Sequence, residues 1–151
     1  MLEDFMIRKY ITNSAKETKN LAKKIAKNFD GGKVLALSGE LGAGKTHFTK
    51  GLAEYFKVSQ TITSPTFVLM KPYKTGNKKI KQLVHVDCYR LDSEEELQAI
   101  GLEEYFDKND CLTVIEWAEK VKSILSNKTI WIKFKLGRNE NQRIIEVGEK
   151  E

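Results

Sequence analysis

The apolar run Val34-Leu35-Ala36-Leu37 leads straight into Ser38-Gly39-Glu40-Leu41-Gly42-Ala43-Gly44-Lys45-Thr46. The run reads as a strand covered on both faces. The residues Gly39 to Thr46 satisfy GxxxxGK[ST], and a helix starting near Lys45 and running towards Phe56 completes the strand, loop and helix context this pattern requires. Glycines let the loop backbone curl with several N–H groups pointing inward, and the helix N-terminus adds partial positive charge there. Such a concavity accepts a polyphosphate. The candidate nucleotide-binding residues are therefore Gly39, Glu40, Leu41, Gly42, Ala43, Gly44, Lys45 and Thr46, with Ser38 packing before them. Lys45 would reach the β- and γ-phosphates, and the Thr46 hydroxyl would ligate the bridging Mg2+.

Outward from this loop the chain alternates elements. Met6 to Ile11 reads as a strand, and Ser14 can cap an amphipathic helix that buries Leu21, Ala22, Ile25 and Ala26 and ends at Gly31-Gly32. Further strands are expected at Phe67 to Met70, Leu83 to Cys88, Leu112 to Ile115, Thr129 to Leu136 and Ile144 to Val147, with helical stretches near Glu94 to Ile100 and Ala118 to Leu125. This order indicates an α/β, P-loop NTPase-like three-layer sandwich. Tyr73 to Lys81 joins two strands too closely for a crossover helix, so the central sheet is expected to be mixed and partly antiparallel. With 151 residues, no repeat and only Pro65 and Pro72 as prolines, the expectation is a single P-loop ATPase domain over residues 1–151.

Lysine and arginine number 26 against 21 acidic residues, a net charge of +5, and 40% of the residues are hydrophobic, which excludes a disordered chain. No apolar run approaches the roughly 20 residues of a membrane span. The opening MLEDFMIRKYI lacks the pattern of a secretory signal, so a cytoplasmic protein without membrane contact is expected. Cys88 and Cys111 lie in apolar segments without CxxC spacing and read as reduced packing residues. One local basic cluster, Lys71, Lys74, Lys78, Lys79 and Lys81, flanks Thr75-Gly76-Asn77, which reads as a hairpin turn. Acidic and basic residues are otherwise intermixed, favouring a solvated surface for these charges.

A phosphate loop needs an acidic partner for the metal and an oriented water for hydrolysis. In Leu83-Val84-His85-Val86-Asp87-Cys88-Tyr89 the strand period places His85, Asp87 and Tyr89 on one face, and Asp87 becomes a site candidate. The buried run Leu112-Thr113-Val114-Ile115 ends in Glu116, which resembles a Walker B acid in position, at the carboxyl end of a strand where α/β sheets bind ligands. Structural readings stand beside these: Asp87 could pair with Arg90, and Glu116 could simply start the next helix. His85 reads as a hydrogen-bonded packing residue without a catalytic role, and Trp117 chiefly as a partly buried aromatic, with lining of the nucleotide site as the lesser alternative. Ser64-Pro65-Thr66-Phe67 occupies the region where P-loop proteins carry a γ-phosphate-sensing segment, with Thr66 as its natural switch residue; a proline-fixed turn is the competing reading.

GELGAGKTHFTKGL, SPTF followed by Tyr73, HVDCYRL at His85 to Leu91 and IEWAE at Ile115 to Glu119 together resemble the TsaE family, formerly called YjeE, over nearly the whole chain. The resemblance implies a small bacterial P-loop ATPase needed for threonylcarbamoylation of an adenosine in tRNAs that read codons beginning with A. It further implies ATP and Mg2+ as cofactors, and TsaD and TsaB as protein partners, with tRNA met indirectly through their complex. TsaD would transfer the threonylcarbamoyl group while ATP hydrolysis permits repeated turnover. Carried onto this chain, the resemblance puts phosphates on Gly42 to Thr46, Mg2+ on Thr46 and Glu116, an essential acidic role on Asp87, and ATP contacts on Glu119, Arg138 and the Ser14 to Thr18 region. Cys88, Ala118 and Met70-Lys71 depart from the commoner family pattern, and Lys71 reverses a charge near the switch strand.

Three other readings are weaker. Asn127-Lys128-Thr129-Ile130 lacks the aspartate of a guanine-reading NKxD element, which argues against GTP specificity. A small-molecule kinase could use the same loop, but no arginine-rich lid is present; Arg90 and Arg138 are isolated and Arg143 falls in the terminal strand. A nucleotide-gated binding module with little turnover is the third.

Overall fold

The computed structural model describes residues 7–40, 42–63 and 70–148. Among these, β1 (Arg8–Thr12), β2 (Lys33–Gly39), β3 (Met70–Lys74), β4 (Gln82–Asp87), β5 (Cys111–Glu116), β6 (Ile130–Leu136) and β7 (Arg143–Gly148) form one sheet in the order β1-β7-β6-β2-β5-β4-β3. Strands β6, β2, β5 and β4 run parallel, whereas β7 is antiparallel to β6 and β1, and β3 to β4. The sheet is mixed, as the short Tyr73 to Lys81 connection requires.

Alternation along β2 explains the layers. Leu35 and Leu37 enter a core shared with α1 (Ala15–Ile25) and α2 (Lys45–Tyr55), while Val34 and Ala36 enter a second core with Leu97 of α3 (Glu95–Ala99) and with Leu102, Ala118 and Val121. A strand buried on both faces needs apolar side chains at successive positions, which is what the run Val34 to Leu37 supplies. Ser14 caps α1 as expected, its hydroxyl accepting from the Glu17 N–H at 3.1 Å.

Several boundaries differ from the sequence reading. Helix α1 stops at Ile25, followed by one 3-10 turn over Ala26–Asn28, before Gly31-Gly32 is reached. That glycine pair instead serves a close approach: a Cβ on Gly31 would stand 1.6 Å from the Asn109 carbonyl oxygen, so the backbone can pass there only without a side chain. The Ala118 to Leu125 stretch is 3-10 helix over Ala118–Ile124 and is broken at Val121, whose ψ is 29°. Strand β3 runs through Tyr73 and Pro72 rather than ending at Met70; it is an edge strand, where a missing N–H is tolerated. The remainder of the expected Phe67 to Met70 strand, and Met6 of the first, lie outside the described residues.

The topology fixes where a ligand can bind. Parallel register aligns Leu37 and Asp87 with Glu116, so the carboxyl ends of β2, β4 and β5 meet at one edge of the sheet. The β6–β7 hairpin and the end of β1 reach the same edge, since Leu136 pairs with Arg143 and Thr12 with Arg143.

Candidate nucleotide site

Gly44 caps α2 with φ +102°, a left-handed conformation that strains any residue bearing a Cβ, and thereby turns the loop into the helix. The turn is closed by Ala43 N–H to the Glu40 carbonyl at 3.1 Å and Phe48 N–H to the Gly44 carbonyl at 3.0 Å. Lys45, at the first turn, is 5% exposed. Its ammonium donates to the carbonyls of Gly39 (2.6 Å) and Glu40 (3.0 Å) and lies 4.0 Å from the centroid of the Trp117 ring. Burial pushes the Lys45 pKa down, against the opposing pull of Glu119, Glu116, Asp87 and Glu40 around it.

Across the loop, Thr46 Oγ1 donates to Glu116 Oε1 at 3.2 Å. Glu116 is 2% exposed and therefore does more than open the next helix. Its second oxygen, Oε2, lies 2.5 Å from Nε2 of His85, a side chain with no solvent exposure. Asp87 is half-buried next to Glu116; burial raises its carboxyl above the usual range, with the Tyr89 N–H at 2.9 Å from Oδ1 opposing and the Glu116 charge adding to the rise. Among the described residues Asp87 makes no ion pair with Arg90. Glu119 accepts from the Gly39 N–H at 3.2 Å through Oε2, while its buried Oε1 has no partner among the described residues.

The other sequence candidates are distributed unevenly. Thr18 borders the loop, its methyl 3.5 Å from where a Cβ on Gly44 would stand, but its hydroxyl is engaged at 2.7 Å by that of Thr12. Ser14 is committed to capping α1. Arg138 is exposed in the β6–β7 hairpin and its side chain forms no hydrogen bond or ion pair with a described site residue; its backbone N–H donates to Gln142 Oε1 at 2.8 Å. Leu41 and Thr66 lie outside the described residues. Both cysteines are reduced and buried, and the Cys88 thiol is pushed up to about 12 by burial, which makes it a poor nucleophile.

Three residues come to the site that sequence reasoning passed over or assigned to packing. His85 backs Glu116. Trp117, held at φ +59°, stacks against the Lys45 ammonium and against Tyr89, at 5.0 Å between ring centroids. Arg143, set aside as a lone arginine of the terminal strand, donates to the Gly42 carbonyl at 2.9 Å while its other amine bonds the Glu140 and Gln142 carbonyls. A strand period can place His85 on the Asp87 face, but partners 101 residues apart, as Arg143 and Gly42 are, follow only from the sheet register.

The donor chemistry suits a nucleotide with Mg2+. A hydroxyl and a carboxylate oxygen facing each other are hard ligands of the kind Mg2+ takes, with phosphate oxygens completing its shell. Among the described residues no group of three or more His, Cys, Asp or Glu side chains could hold a metal ion by itself, so a cation at Thr46 and Glu116 would need further donors. No helix among these residues is long and apolar enough to cross a membrane.

Comparison with known proteins agrees with this architecture. Residues 12–145 match the family described as threonylcarbamoyl adenosine biosynthesis protein TsaE. A tRNA threonylcarbamoyladenosine biosynthesis protein TsaE from Rickettsia bellii is 43% identical over 127 residues, covering 83% of this chain and 85% of that protein. The protein of the same name from Bacillus subtilis is 39% identical over 136 residues, covering 90% and 82% respectively. The crystal structure of Bacillus subtilis YdiB superposes with a TM-score of 0.75 at 32% identity, over 97% of this chain and 88% of that one. With the family match spanning most of the sheet and both flanking layers, the chain belongs to the TsaE family of threonylcarbamoyl adenosine biosynthesis proteins.

Proposed function

We propose that this chain is a Mg2+-dependent ATPase of cytoplasmic tRNA threonylcarbamoylation, slow by itself, whose hydrolysis sustains turnover of a TsaD–TsaB transferase complex. The observation that supports it most is the meeting of Lys45, Thr46, Glu116 and Asp87 where β2, β4 and β5 end, with Thr46 Oγ1 and Glu116 Oε1 3.2 Å apart. On this reading Gly39 to Thr46 cradle the phosphates, and Lys45 exchanges its two loop carbonyls for β- and γ-phosphate oxygens. Thr46 and Glu116 hold Mg2+, which when bound neutralises charge on the phosphate oxygens.

Asp87 is the residue suited to orient the attacking water and accept its proton. One of its oxygens is fixed by the Tyr89 N–H, and its raised pKa makes it a stronger base than an ordinary aspartate. Glu119 and the Ser14 to Thr18 region would border the nucleotide, Arg138 would reach it from the hairpin, and Thr66 would sense the γ-phosphate. The threonylcarbamoyl transfer itself, and contact with tRNA, belong to the partners.

The test is ATP hydrolysis with and without Mg2+, by the chain alone and with purified TsaB and TsaD, using Asp87→Ala as control. Low activity that rises with the partners and vanishes in the variant is expected. Partner-independent turnover that accelerates with a small phosphate acceptor would replace this reading with a kinase.

A further inference from the structure

Among the described residues, Glu116 is the one site carboxylate with both oxygens committed to side chains: Oε1 faces the Thr46 hydroxyl at 3.2 Å and Oε2 faces His85 Nε2 at 2.5 Å. A carboxylate at the end of a strand has several rotamers, and a metal site works only if one of them is held. Thr46 alone cannot hold it, because its single O–H reaches only Oε1 and leaves the carboxylate free to turn about that one contact. His85 can, since it rises from the neighbouring strand two residues before Asp87, is fully enclosed, and meets the oxygen on the side away from Thr46.

The rest of the imidazole supports this direction. His85 Nδ1 is buried and has no partner among the described residues. A proton on Nδ1 would leave a buried donor without an acceptor and would set the bare Nε2 and Glu116 Oε2, two acceptors, 2.5 Å apart. The proton therefore belongs on Nε2, directed at Glu116 Oε2.

We infer that His85 is a positioning residue for the metal-holding carboxylate: its Nε2–H fixes Glu116 so that Oε1 stays turned to Thr46 and to the cation. This rests on the proposed Mg2+ role of Glu116. It assigns function to a side chain that a strand pattern alone presents as core packing, and it couples β4, which also carries Asp87, to the metal side of the site. Loss of such a supporting partner typically weakens metal affinity about 10- to 100-fold.

The test compares wild type, His85→Leu, which keeps the bulk and removes the donor, and His85→Gln, which restores an N–H at similar reach. Binding of a fluorescent ATP analogue is titrated with Mg2+ and repeated in EDTA. His85→Leu is expected to raise the Mg2+ concentration for half-maximal effect at least tenfold while EDTA affinity stays within twofold, and His85→Gln to recover most of the loss. An unchanged Mg2+ midpoint in His85→Leu, or equal impairment of both variants in Mg2+ and in EDTA, overturns the inference.

Long-range 1H–15N correlation on the wild-type protein decides the matter independently of whether His85→Leu folds. An Nε2-protonated tautomer is expected, and an Nδ1-protonated ring overturns the assignment. Wild-type binding indifferent to Mg2+ would count against the ATPase reading itself, while the tautomer still reports whether His85 donates to Glu116.

Discussion

The two ends of the sheet carry charge in opposite ways. At the carboxyl ends of β2, β4 and β5, Lys45, Glu116 and His85 are buried and Asp87 half-buried, each with a named partner within hydrogen-bond distance. At the amino ends of β2 and β4 a recess of about 390 Å3 is rimmed by Lys27, Lys57, Lys78 and Lys79, all exposed and without an ion pair among the described residues. The second end has the more visible positive charge. Only the first has charge taken out of water, and desolvated charge is what costs stability when idle and gains strength when a charged ligand arrives.

The sharpest way to break this contrast is Lys45→Ala. On the proposed reading, removing this nearly enclosed ammonium should weaken ATP binding by about 2–5 kcal/mol, the range for truncating one partner of a desolvated charge pair. Isothermal calorimetry reads this directly. Unchanged affinity would mean that the carboxyl-end charge is structural and that the contrast has no functional content.

Asp87→Asn is expected next in size, with turnover down about 100-fold or more, the scale of a lost acid–base group. The same substitution should also stabilise. Burial raises the Asp87 pKa in the fold, so between the ordinary carboxylate range and the raised value the native chain binds more protons than the unfolded one, and stability falls as pH rises through that window. Ionised Asp87 is therefore a cost at neutral pH. Melting of Asp87→Asn should exceed that of wild type at pH 7, and the gap should close on acidification below about pH 4. A variant that melts lower at pH 7 would point instead to a structural Asp87.

How much of this was legible beforehand follows the same division. Val34 to Thr46 could be read because its signals are local: a doubly buried strand needs consecutive apolar residues, and the loop needs glycine at Gly44 within a fixed spacing. Glu116 was found because a buried apolar run ends there in a charge, and Asp87 because the two-residue strand period sets it on a polar face. His85, Trp117 and Arg143 act through partners on other elements, and no spacing rule reports a register between strands 31 residues apart. The helix-ending role expected of Gly31-Gly32 failed likewise, because a close backbone approach to Asn109 is a tertiary cause. Lys78 and Lys79 drew notice in the sequence as a cluster, yet burial, not clustering, distinguishes a site.

Arg143→Ala sharpens the comparison from within the site. The guanidinium bonds the outer side of the phosphate loop through the Gly42 carbonyl, so it supports the cradle. The loss is that of a hydrogen bond worth about 0.5–1.5 kcal/mol, a two- to tenfold rise in the ATP dissociation constant, with the maximal hydrolysis rate retained. A fall in that rate at saturating ATP would show that Arg143 touches the reacting phosphate instead.

The smallest effect is expected at the far end, from Lys78→Ala combined with Lys79→Ala. Their loop is shaped by Asn77, whose Oδ1 accepts the N–H groups of Lys79 and Ile80 at 2.9 Å each, and by Gly76 N–H to the Lys57 carbonyl at 2.9 Å; the lysine side chains supply none of these bonds. Stability should therefore move by no more than about 0.5 kcal/mol. Nucleotide affinity should stay within twofold at physiological salt, where exposed charges are screened beyond about 8 Å, and helix α2 alone, 11 residues long, separates the loop from Lys45 by about 15 Å. A tenfold change in ATP affinity, measured at low and at physiological salt, would break the comparison, because it would require exposed lysines at one end of the sheet to act on buried charges at the other.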